Sequence, residues 1–85
     1  MSEKNITAIA QAIINISIFL ELSDKNTIDE DRAIEALEQI SADISEFEYD
    51  FKLQLSKSIL KLVIKYPKNL HCYINNLPEN LGIVD

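Results

Sequence analysis

The chain has 85 residues, with 14 Asp and Glu against 8 Lys and Arg, a formal net charge of -6 and a pI near 4.6. That length supports one modest core and excludes a second domain, so residues 1–85 read as a single unit. One Gly and two Pro argue against a turn-rich β-sandwich, the single Cys72 excludes an internal disulfide or Cys-rich zinc site, and the net charge argues against direct nucleic-acid binding.

The apolar stretch from Ala8 to Leu22 is interrupted by Gln11, Asn15, Ser17 and Glu21. It falls short of the ~20 apolar residues of a membrane span, and it lacks the basic start and small-residue cleavage site of a secretory signal. The expected location is cytoplasmic, with no membrane contact. Ile6, Ile9, Ile13, Ile16 and Leu20 recur at helical spacing and predict a first helix over about 5–22. A second stripe, Ile14, Ile18 and Leu22, sits nearly opposite. It is sandwiched in the core or covered by a partner, which makes it the candidate apolar interface of a homodimer.

After a loop at Ser23-Asp24-Lys25-Asn26, the run Thr27-Ile28-Asp29-Glu30 matches a capping box that would open a second helix over about 27–44. Ala33, Leu37, Ile40 and Ile44 form its inward stripe, with Asp31, Glu35 and Glu38 outward. Asp24, Asn26 and Glu35 fall at three calcium-loop positions. Ile28 and Asp29 occupy those that need an oxygen ligand and a glycine, so calcium is not expected.

Phe47, Tyr49, Phe51, Leu53 and Leu55 alternate with polar residues as a strand would, so a strand over 47–55 stands as an alternative. A continuous helical stripe through Phe47, Phe51, Leu55, Ile59, Leu62 and Tyr66 favours a third helix over about 46–66. Glu48 and Lys52 are spaced for an i,i+4 pair. One unbroken helix over 28–66 would be about 58 Å long, against a radius of gyration of about 12 Å for a compact chain of this size. A break near Ser45, where Ser45-Glu46-Phe47-Glu48 matches another capping box, is preferred. Pro67 should end this helix. Leu70, Tyr73, Ile74 and Leu77 predict a short C-terminal helix over about 69–77. Pro78 to Gly82 should form a final turn, and Leu81, Ile83 and Val84 should fold back onto the core. The fold class is therefore all-α, a compact bundle of three main helices and a short fourth.

No nucleophile–base set, metal motif or cofactor box appears. His71 and Cys72 are adjacent and would diverge on a helix, which predicts a buried Cys and a partly exposed His. Glu35 and Glu38 lack the Glu-x-x-His helix that a carboxylate metal site needs. The charge is uneven: Asp29 to Asp50 sums to -8, while the chain from Phe51 onward sums to +3, with Lys57, Lys61 and Lys65 as a basic stripe. An acidic block of this kind is a solvated face or a docking surface for a basic protein.

Ile18-Phe19-Leu20-Glu21-Leu22-Ser23-Asp24, Ala33 to Ile40 and Leu77-Pro78-Glu79-Asn80-Leu81-Gly82 resemble small bacterial immunity proteins encoded beside polymorphic toxins, including those of contact-dependent growth inhibition. The resemblance implies a non-enzymatic, cytoplasmic, all-helical toxin inhibitor without cofactor. Its partner would be a basic cognate toxin domain, in many cases a nuclease. Asp31, Glu35, Glu38, Asp43 and Glu46 are then the expected partner-binding residues. The rival expectation is an adaptor module that self-associates through Ile14, Ile18 and Leu22.

Overall fold

The computed structural model describes residues 2–24 and 26–83. Four α-helices follow one another: α1 (Glu3–Leu22), α2 (Glu30–Ser45), α3 (Tyr49–Leu62) and α4 (His71–Asn80). No strand occurs among the described residues, so the alternation from Phe47 to Leu55 is not a strand. The radius of gyration is 12.7 Å and the longest dimension 38 Å, which leaves no room for the unbroken helix over 28–66.

α1 begins earlier than its apolar stripe suggests because the Ser2 hydroxyl accepts from the Asn5 amide. Its buried face is Ile6, Ala10, Ile14 and Ser17 rather than either predicted stripe; Ile16 is 47% exposed. The small Ala10 and Ser17 let α3 approach α1 closely, and this pair makes the most extensive helix packing in the molecule. By length and composition alone α1, with a mean hydropathy of 1.5 over its most apolar 18 residues, is also long enough to cross a bilayer, a test that the core helix of a soluble protein passes equally.

α2 starts two residues later than the Thr27 capping box would have it. The Asp24 carboxylate captures the Asn26 amide at 2.6 Å, and the Asp24 carbonyl accepts from Thr27 and Ile28. This turn uses up Thr27, so Asp29, the better cap, accepts from the Arg32 amide at 3.2 Å. Lys25 of the predicted loop lies outside the described residues, as does Val84 of the predicted fold-back.

The chain does break after Ser45, though not by a second capping box. Ser45 Oγ donates back to the Ala42 carbonyl at 2.6 Å, and Glu48 caps α3 with no side-chain bond. Glu48 and Lys52 meet only through backbone: the Lys52 amide donates to the Glu48 carbonyl, and Lys61–Glu3 at 3.9 Å is the one ion pair among the described residues. Leu55, Ile59 and Leu62 are buried as the stripe predicts. Past Leu62 the chain tightens into a 3₁₀ turn over Val63–Lys65, and Tyr66 is extended because Pro67 bars helical geometry before it.

A second 3₁₀ turn, Lys68–Leu70, leads into α4, which contains Pro78 rather than ending before it. The helix closes with paired bonds from the Gly82 amide to Glu79 and from the Ile83 amide to Pro78, around Gly82 at φ +70°. Ile83, just past the glycine, is buried, so this cap turns the tail back onto the core. Cys72 is exposed, contrary to expectation, because Ile74 and Leu77 set the buried face of α4. His71 is half-buried, its Nε2 2.9 Å from the Tyr66 carbonyl oxygen.

Candidate functional site

The five acids expected to bind a partner are all exposed. At about 100° per residue, Asp31, Glu35 and Glu38 share one face of α2 within roughly 60° of one another. Asp43 lies roughly 80° beyond Glu35 and accepts from Gln39 Nε2 at 2.9 Å, so it stands on the flank. Glu46 caps the C-terminal end of α2 beside Phe47. The structure thus brings three of the five together and spreads the other two toward the α2–α3 corner.

No countercharge from within the described chain neutralises them, since the one ion pair joins Lys61 to Glu3. Glu30 and Asp31 in the first turn are helped by the helix dipole. Asp43 and Glu46 lie at its negative end, where no basic residue balances them and where helix stability would favour a cation.

The apolar trio does not form one exposed surface. Ile14 is fully buried in the core and Ile18 packs against that core; Leu22 alone is exposed, at 50%. The open face of α1 carries Ala8, Ala12 and Phe19 instead, and Phe19 is 56% exposed.

Two features escaped the sequence reading. The first is a groove along α2, walled by the end of α1 and the loop after it in one half and by α4 in the other. It consists of two adjoining clefts of about 380 and 530 Å³ that share Glu21, Ile34 and Leu37. Ile34, 48% exposed, sits off the buried stripe of α2, a signal available in the sequence from its misfit with Ala33-Leu37-Ile40-Ile44. Glu21 enters the groove wall through a bond from the Tyr73 hydroxyl at 2.9 Å, across 52 residues of sequence, which no local pattern could reveal. Burial first, then the bond to Glu21 and its negative charge, hold the Tyr73 pKa well above the usual phenol value, while nearby Ser17 pulls weakly the other way. The Ser17 hydroxyl itself is fully buried close to the Tyr73 phenol, with no hydrogen bond of good geometry among the described residues. The second feature is an aromatic corner, where Phe47 and Phe51 meet edge to face at 4.8 Å between Glu46 and Glu48, with Tyr49 73% exposed nearby.

Lys57 and Lys61 line a separate polar cleft with Glu3, where the start of α1 meets α3. His71 and Cys72 do not converge with a carboxylate. Among the described residues, no group of three or more His, Cys, Asp or Glu side chains is placed to hold a metal ion. Comparison with family models, with curated proteins and with solved structures finds no match to this chain.

Proposed function

We propose that this chain is a non-enzymatic immunity protein of the cytoplasm that binds a basic cognate toxin domain, a nuclease, and neutralises it by occlusion. The observation that carries the reading is the uncompensated acidic face of α2, Asp31, Glu35 and Glu38, continued by Asp43 and Glu46 against the helix dipole. Charges kept where they cost local stability are expected where a surface serves recognition. The carboxylates would occupy the positions of substrate phosphates, and complementary charge would speed association. Apolar neighbours supply the desolvated centre on which affinity depends.

The test uses the product of the gene beside this chain's own, which the reading expects to be a basic protein. Reversing Glu35 and Glu38 to Lys should slow its association about tenfold or more at low salt and flatten the salt dependence, with little change in dissociation. An unchanged rate and unchanged salt slope would overturn the acidic-face reading.

A self-associating module is the second reading, favoured by the uncharged open face of α1 around Ala8, Ala12 and Phe19. Sedimentation of the chain and of Phe19→Asp separates the two: a dimer abolished by that substitution favours self-association.

A further inference from the structure

The geometry points to the groove along α2, between the end of α1 and α4, as the seat of an amphipathic basic segment of the partner, which sets an aliphatic side chain on Ile34 and Leu37 and an adjacent Lys or Arg against Glu21 and Glu38. This rests on the reading of the chain as a binder of a basic protein, and it names the part of the partner that the chain would grip.

Three observations commit the groove to that occupant. Its apolar surface comes from the exposed Ile34 and the half-buried Leu37 of α2, backed by Leu77 and Leu81, which are almost fully buried at the end of α4. Its walls hold Glu21, Glu30 and Glu38, and among the described residues no basic side chain lines either cleft. Its length fits a helix: Glu30 to Ser41 runs about 16 Å along α2, three turns, enough for side chains spaced i, i+4 and i+7. An acidic or neutral apolar segment would bury Glu21 and Glu38 without a partner, a costly arrangement. A nucleic acid would meet the same carboxylates with its phosphates.

The groove is also built to stay open and charged. Ser41 Oγ donates to the Leu81 carbonyl at 2.8 Å and ties α2 to the tail at one end, so the floor is held from both sides. Glu21 is positioned by the Tyr73 hydroxyl on Oε2 rather than by a cation. Among the described residues no cation pairs with Glu21, and its Oε1 has no hydrogen-bond partner there. An exposed isoleucine beside anchored carboxylates has the composition of an interface centre with a polar rim.

The full-length chain, isotope-labelled, is titrated with a leucine–lysine amphipathic helix of about 18 residues, and with a serine–lysine peptide of equal charge. The leucine–lysine peptide should shift the amide signals of Ile34, Leu37, Leu77 and Leu81 and bind about tenfold or more tightly than the control. Ile34→Lys should abolish that preference and Ile34→Ala should weaken it by a smaller factor. Because the side chain is half exposed, both variants should keep the circular dichroism of the parent. Equal binding of both peptides, with shifts confined to Asp31 and Glu35, would overturn the groove while leaving the acidic face standing. An absence of shifts on either face would overturn both.

Discussion

α1 and α3 on one side, and the acidic α2 on the other, are held in the molecule in different ways. The α1–α3 seam buries Ala10, Ile14, Leu55 and Ile59 completely, with Leu62 and the end of α4 closing over it. α2 contributes only Ala33 and Ile44 as buried residues, and its principal contact is α1. Leu37 and Ile40 pack on the core from its edge, Ile34 is left open, and one side-chain bond, Ser41 to Leu81, reaches the tail. Stability is thus concentrated where acids and bases nearly balance, and uncompensated negative charge is concentrated where packing is thin. A helix carrying most of the acids of a -8 block is expected to open locally at lower free energy than the seam.

The same substitution on both sides measures the difference. Leu55→Ala removes a fully buried side chain and should cost about 2–5 kcal/mol in denaturant unfolding, a large share of the stability of a domain this size. Leu37→Ala, half-buried against the groove, should cost about 1–2 kcal/mol, because part of the vacated space is already open to water. Equal losses would break the comparison and make α2 as integral as α3.

This division was only partly legible in the amino-acid pattern. The existence, order and approximate bounds of all four helices follow from apolar spacing, and Leu55, Ile59, Ile74 and Leu77 sit where that spacing put them. The details that failed depend on competition between neighbours. Asp24 captured the turn that Thr27 was expected to cap, and Ser45 bonded backwards instead of forwards. The faces of α1 misled for a different reason. In a helix with nine large apolar side chains and three alanines spread over several sides, hydrophobicity alone does not choose the buried face; the face that is buried carries the small Ala10 and Ser17. The acidic face of α2 was legible because charge needs no partner to be seen. The groove was not, because Glu21, Ile34, Leu77 and Leu81 lie far apart in the chain and meet only by folding.

Gly82 joins the two regions, since the turn it closes presents the Leu81 carbonyl to Ser41. At φ +70° any L-residue is strained, while a Cβ would meet Ser41 Oγ at 3.5 Å, an ordinary contact. Gly82→Ala should therefore cost about 1–2 kcal/mol from backbone conformation alone. Its effect on hydrogen exchange should appear in α4 and in the C-terminal half of α2 before the α1–α3 seam. Uniform loss of protection would show that the seam and α2 open as one unit.

The smallest expected effect is read in alkali. Tyr73 has a folded pKa raised above the ordinary phenol value of 10.0, by burial first and by the bond to Glu21 second. A group raised in this way contributes stability that is fully present below the unfolded value and is lost as pH climbs toward the folded one. The parent should lose stability progressively above pH ~10, as deprotonation places a phenolate beside the Glu21 carboxylate. Tyr73→Phe should flatten that alkaline limb while lowering neutral-pH stability by only about 1 kcal/mol, the net worth of one partly exposed hydrogen bond. Because the phenol spans from α4 to the end of α1, the same variant frees the Glu21 carboxylate without touching α2. An unchanged alkaline limb in Tyr73→Phe would place the pH sensitivity elsewhere, with Tyr66, whose pKa burial also raises, as the other phenol to test.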